Sequence, residues 1–168
     1  AVRNDIGWPP LKLAPTHRWI SAGEATRELQ VLTAEEVIDT KLTPQYASYW
    51  PHCVNGVTPQ DVRKRTTGKD GCFTACRLDV AKPSPTLMSQ EQHFFHWGEC
   101  RKLTYREWKR LGSFPDDYHA KTDKIGKYMI GMSVPPKMTE QVARAVCEQW
   151  LNVNYSELSN DNQAKNTD

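Results

Sequence analysis

The 168-residue chain has no apolar run approaching the roughly 18 residues that a membrane-spanning helix requires, and no signal-type apolar stretch near its start. Membrane spanning is thereby excluded, and a cytoplasmic setting is expected. Charge of one sign is also missing. The 22 Lys plus Arg stand against 20 Asp plus Glu, a net +2, so no global polycationic character advertises nucleic acid. Cysteine is sparse and odd in number, at Cys53, Cys72, Cys76, Cys100 and Cys147. Such wide spacing excludes a disulfide framework and predicts free thiols in a reducing compartment. Apolar residues are few as well, at 38%, below the usual globular share. That shortage suits a small domain which leans on another. What the chain does have is tryptophan: six, at positions 8, 19, 50, 97, 108 and 150. Each can bury a large area, so a core is available and wholesale disorder is excluded.

Along the chain, Ala1 to Thr16 carries Pro9, Pro10 and Pro15, which predicts an extended entry segment. No initiator Met is present; either processing has removed it or the chain begins inside a larger architecture. Ser21-Ala-Gly-Glu24 and Thr33-Ala-Glu-Glu36 match the capping box, predicting helices near 22–30 and 34–39. From Thr43 to Gly71 the chain is polar, punctuated by Pro44, Pro51, Gly56, Pro59, Gly68 and Gly71, and predicts irregular structure. Strands are expected at Phe73–Leu78, Thr86–Met88 and Phe94–Trp97. Thr104-Tyr-Arg-Glu107 is a third capping box, opening a helix that Gly112 should stop. Pro135 and Pro136 precede an apolar stripe of Met138, Val142, Ala145, Val146, Trp150 and Val153, broken by Gln149. This predicts the clearest helix of the chain. Ser156 to Asp168 is nearly all polar, and a disordered tail is expected.

The block from Arg101 to Tyr118 contains Leu103, Thr104, Arg106, Glu107, Arg110, Leu111, Phe114 and Pro115, and is followed by Gly131-Met-Ser-Val-Pro-Pro136. In order and spacing these residues resemble the C-terminal third of bacterial or phage DNA (cytosine-5) methyltransferases. There, an R-x-L-T-x-R-E…R-L-x-x-F-P-x-x-Y block precedes G-N-x-V-P-P. Val2 to Ile6 resembles the end of the strand leaving that family's catalytic domain, and Lys82 to Leu87 its Thr-Leu recognition segment. Trp19 to Arg77 matches nothing specific, as suits a region that reads one particular DNA sequence.

The resemblance implies an α+β DNA-recognition domain plus a C-terminal helical segment completing a Rossmann-like fold that lies elsewhere. The implied divisions are 1–15 as entry, 16–118 as target recognition, 119–153 as the return to the catalytic domain and 154–168 as tail. Function follows from the same source: a C-terminal portion or subunit of a methyltransferase of the restriction-modification kind. Its implied cofactor is S-adenosylmethionine, and its implied partners are double-stranded DNA and an N-terminal catalytic part. The family's Pro-Cys nucleophile, Glu-Asn-Val block and Phe-x-Gly-x-Gly loop do not occur in this sequence. Attack on cytosine needs a thiolate and an acid nearby, so this chain alone is expected to be inactive, with no catalytic residue of its own.

Candidate contacts divide by chemistry. Arg63, Lys64 and Arg65, with Lys69, form a basic stretch whose cations could neutralise phosphates from a loop, or simply be solvated. By resemblance, Thr86 would bond a phosphate beside a flipped base; by itself it would be an edge-strand threonine. Arg101 and Arg106 are either DNA contacts or members of an ion-paired scaffold, and Glu107 is read as a structural cap. Asn55, Gln60, Gln90 and Gln92 could read base edges. Gly131, Met132, Ser133 and Val134 would by resemblance line the cofactor pocket. Met132 stands where many members have Asn, and a thioether cannot donate as an amide does; Ser133 and local backbone are the better contacts. No metal site is expected, since among His52, Cys53, Cys72 and Cys76, with Cys100 or His96 as spares, only Cys72-x-x-x-Cys76 approximates zinc spacing. Two other readings stay open: a stand-alone DNA-binding module without chemistry, and a small zinc-stabilised interaction protein.

Overall fold

Two adjacent phenylalanines divide the interior of the larger of two units. In the computed structural model, which describes residues 9–14, 18–29, 31–54, 56–71, 75–90 and 94–151, Phe94 and Phe95 are each 1% exposed. Successive side chains of a strand point to opposite faces, so the pair feeds separate clusters. Phe94 packs with Ala22, Leu78, Leu103, Tyr105, Trp108 and Ile130, meeting the Trp108 ring edge-on at 5.4 Å. Phe95 packs with Leu42, Cys53, Val62 and Ala75. The strand that carries them, β2 (Phe94–Phe95), runs parallel to β1 (Cys76–Arg77), and single antiparallel bridges join Lys41 to Arg101 and Phe95 to Lys102.

Helices supply the rest of this unit, which spans Trp19–Pro135. They are α1 (Ala22–Ala25), α2 (Ala34–Asp39), α3 (Pro44–Tyr49), α4 (Pro59–Thr67), α5 (Tyr105–Leu111) and α6 (Asp123–Met132), with a 3₁₀ turn at Trp50–His52. Mixed helix and short strand is the α+β class that the sequence predicts. The capping boxes at Thr33 and Thr104 are both formed, with side chain and backbone satisfied reciprocally. Ser21 caps α1, but that helix ends at Ala25, far short of residue 30. Its backbone is instead committed outward, Ala22 and Gly23 donating to the carbonyls of Lys82 and Val80.

Three further expectations are corrected. The Thr43–Gly71 stretch is largely helical, because Pro44 and Pro59 each follow a threonine N-cap and stand at the first turn, where a missing N–H costs nothing. Thr86–Met88 forms no strand. Helix α6 stands where only a connecting segment is expected. Ile130, 3% exposed, ties α6 into the Phe94 cluster, and the larger unit runs to Pro135.

The second unit gathers Ala1–Arg18 and Pro136–Asp168. Its helix α7 (Pro136–Trp150) buries Ala145 and holds the 9–14 segment near its C-terminal end. Gln149 clamps Lys12, receiving from the backbone N–H at 2.9 Å and donating to the carbonyl at 2.7 Å. Trp150 Nε1 donates to Pro9 O at 3.0 Å. No helix among the described residues is long and apolar enough to cross a membrane. The Val2–Ile6 segment, Phe73, Val153 and the 154–168 tail lie outside the described residues.

Candidate functional site

The arginines of the Arg101–Tyr118 block are held internally. Arg101, 6% exposed, meets Glu107 in a two-pronged pair, both contacts at 2.8 Å, and its Nε donates to Glu99 at 2.7 Å. Glu107, 2% exposed, also accepts the Thr104 N–H at 2.8 Å. A carboxylate taken this far from water needs such a set of donors. His96 completes the knot. Its Nδ1 accepts the backbone N–H groups of Gly98 and Glu99 at 3.1 and 2.9 Å, and its Nε2 lies 3.6 Å from Glu107. Burial, with Arg101 close by, lowers the His96 pKa against the opposing pull of Glu107, so the ring is neutral at neutral pH.

Arg106 donates twice to Glu36, at 2.8 and 2.7 Å, and once to Val31 O at 2.8 Å, which holds the Glu36 carboxyl below its ordinary pKa. Arg110 pairs with Asp116 at 2.7 and 2.5 Å. Arg77, unflagged by any motif, donates to Trp97 O and lies 3.8 Å above the Trp50 ring. Of the two roles open to Arg101 and Arg106, these are the contacts of a scaffold.

The basic stretch has a different setting. Arg63, Lys64 and Arg65 stand on helix α4 and not on a loop. Thr58 and Asp61 form its capping box, Pro59 and Val62 bury its inner face, and Gly68 closes it at φ 69°. Cations in its last turn also favour the helix dipole. Lys64, Arg65 and Lys69 are exposed and Arg63 is half-buried. Arg63 donates to Gly71 O at 3.0 Å, and Lys64 lies 3.5 Å from Asp70. Gln60 is half-buried on the same helix and Gln90 is exposed; Asn55 and Gln92 lie outside the described residues.

The structure does bring the segment that follows Thr86, at Met88–Ser89, against Gly131. Thr86 is exposed, on an irregular segment that runs against α6. A Cβ built on Gly131 would fall inside the Met88–Ser89 peptide, and one built on Gly112 would crowd Ile130 and Leu87 at 3.0 and 3.3 Å. Beside this contact, Met132 and Val134 are 66% and 61% exposed. Ser133 spends its hydroxyl proton on Met129 O at 2.6 Å. Among residues 131–134 the exposed side chains are thus the apolar Met132 and Val134, and Ser133 keeps only acceptor lone pairs free.

Two of the thiols sit where a thiolate is disfavoured. Burial pushes the Cys53 thiol up to about 11 and raises that of Cys76, the reverse of what a nucleophilic thiolate needs. Cys53, Cys76, Cys100 and Cys147 are free. Among the described residues no group of His, Cys, Asp and Glu is assembled to hold a metal; Cys72 lies outside them.

A family model described as C-5 cytosine-specific DNA methylase matches residues 18–148. The chain is 36% identical over 88 residues to Type II methyltransferase M.BbvI of Brevibacillus brevis, covering 49% of this chain and 23% of that protein. It is 38% identical over 90 residues to Type II methyltransferase M.AquIB of Picosynechococcus, covering 46% and 65%. With Type II methyltransferase M1.HphI of Haemophilus parahaemolyticus it shares 36% identity over 77 residues, 45% and 21% of the two chains. The chain thus spans under two thirds of each relative. M.AquIB is comparable to it in length, whereas M.BbvI is more than twice as long. No solved structure matches.

Proposed function

Because the chain belongs to the C-5 cytosine-specific DNA methylase family, we propose that it is the DNA-recognition part of a cytosine-5 methyltransferase whose nucleophile resides in a separate catalytic part. Its work would be sequence choice and phosphate clamping on duplex DNA, in a bacterial or phage cytoplasm. The observation that carries this reading is a division among its cations. Lys64 and Arg65 of α4 and the nearby Lys69 are exposed, Lys64 having only a loose contact with Asp70, while Arg101, Arg106 and Arg110 are held closely by carboxylates. Two further features support it. No cysteine here follows a proline, and a relative of comparable length, M.AquIB, carries a methyltransferase name.

In this reading Arg65 and Lys69, with Arg63 and Lys64, neutralise phosphates and release counterions, and Thr86 offers its hydroxyl to a backbone phosphate. Arg101 and Arg106 act through the scaffold and not at the DNA. S-adenosylmethionine, when bound, supplies the methyl group. Met132 and Val134 would give one apolar wall of its pocket, and the catalytic part would bring the polar contacts and the rest of a Rossmann-like fold. The entry segment and α7 would return the chain to that part.

The test mixes this chain with a candidate catalytic partner and follows labelled methyl transfer from S-adenosylmethionine to duplex DNA. Activity is expected in the mixture alone. Activity from this chain by itself would overturn the division of labour, and DNA binding without any rescue of a partner would favour the stand-alone module.

A further inference from the structure

We propose that Gly131 is a positioning residue for DNA contact: it seats α6 directly on the Met88–Ser89 peptide and thereby fixes the segment that presents Thr86. The proposal rests on the reading of Thr86 as a phosphate contact.

The segment from Pro83 to Ser89 needs such a device. Pro83 and Pro85 lack N–H groups, and no backbone-to-backbone hydrogen bond holds residues 83–89 among the described residues. Its last ladder-like ties are upstream, where Ala22 and Gly23 donate to Lys82 O and Val80 O at 2.8 and 3.0 Å. Beyond them, two successive residues of α6 do the holding. Ile130 packs in the cluster that Leu87 joins, with Gly112 leaving room between the two side chains. Gly131 leaves room for the next peptide, where any Cβ would overlap Met88 and Ser89 backbone atoms. Backbone cannot swing aside as a flexible side chain can, so a larger residue at 131 must displace either α6 or the segment. Helix α6 is itself fixed one turn earlier: Gly126 lies against the Tyr105 ring, whose hydroxyl donates to Tyr118 O at 2.9 Å. The movable member is therefore the segment, and Thr86 moves with it. Its exposed hydroxyl has no partner among the described residues, so only the anchoring of Leu87, Met88 and Ser89 decides where it points.

The experiment uses the whole chain without S-adenosylmethionine, so that a cofactor role of residue 131 cannot contribute. Methyl NMR follows the contact between Leu87 and Ile130, and retention of a random-sequence duplex DNA pool gives affinity. Thr86→Val should weaken retention by about tenfold, as loss of a hydrogen bond to a charged group does. Gly131→Ala should abolish the Leu87–Ile130 contact and weaken retention about equally. The double variant should bind no worse than either single one, because both remove the same contact. Should Gly131→Ala fail to fold, Leu87→Ala removes the anchor without adding an atom and is expected to weaken retention in the same way. Loss of affinity in Thr86→Val with wild-type affinity in Gly131→Ala and Leu87→Ala overturns the positioning role while leaving the Thr86 reading intact. Wild-type affinity in Thr86→Val removes that reading and the proposal with it.

Discussion

Arginines meet opposite fates in two parts of the larger unit. Around β2 and α5, Arg101 is buried and fully engaged by Glu99 and Glu107, and Arg106 is spent on Glu36 and Val31 O. On α4, Arg65 and Lys64 project into solvent from a helix whose inner face buries only Pro59 and Val62. Residue type alone does not distinguish the two settings; the neighbours do. A buried guanidinium needs a carboxylate that the fold delivers to it, whereas an exposed cation stays available to a phosphate. Motif strength therefore marks the scaffold here, and it is the less distinctive basic stretch that the proposed function takes as the contact surface.

That contrast can be broken from the scaffold side first. Glu107→Ala leaves the buried Arg101 with Glu99 as its remaining carboxylate partner and removes the acceptor for Thr104 N–H. A loss of about 3–5 kcal/mol in chemical denaturation is expected, as for other broken buried pairs, while Arg65→Ala should stay within about 0.5 kcal/mol of wild type. Comparable losses in the two variants would erase the distinction. Arg106→Ala comes next. Its partner Glu36 retains the Thr33 N–H at 2.9 Å and the Arg106 side chain is 38% exposed, so a cost of about 1 kcal/mol is expected, read from the same denaturation curves.

Near neutral pH the smallest effect belongs to His96. Its folded pKa is depressed by burial and by Arg101, so the unfolded chain binds the proton more readily. Its contribution is fully present above the ordinary histidine range near 6.5 and is lost as pH falls through the lower folded value. Protonation would also turn Nδ1 from acceptor to donor against Gly98 and Glu99. Stability measured from neutral pH downward should fall in wild type, and His96→Asn should flatten that part of the profile.

Local chemistry in the sequence was enough for the helix starts. Thr33, Thr104 and Ser21 cap as their spacing predicts, because a cap is decided by residues three positions apart. Where proline and threonine stand together the same logic applies, yet Pro44 and Pro59 resemble loop punctuation unless the preceding cap is noticed; Asp61 in place of Glu further hides the box at α4. Helix α6 is less legible, since Gly126 and Gly131 lower its intrinsic propensity and their value lies in close contacts with Tyr105 and Met88. The partners of Arg101 on the sequence-local side were visible in the capping box. Glu36, 70 positions from Arg106, was not, and neither was His96, whose role depends on the turn at Gly98–Glu99. The residues of the candidate site fall in the same two classes: α4 cations are visible as composition, and the seat of the Met88–Ser89 peptide on α6 is visible only in three dimensions.

The central division of labour is tested most directly by duplex DNA affinity as a function of salt, measured for the wild-type chain and for Arg63→Ala/Lys64→Ala/Arg65→Ala/Lys69→Ala. Each cation that contacts a phosphate adds about 0.9 to the slope of log K against log salt. A shallower slope is expected, by up to about 3–4, with the variant still folding cooperatively in denaturation. An unchanged slope in the folded variant would contradict it.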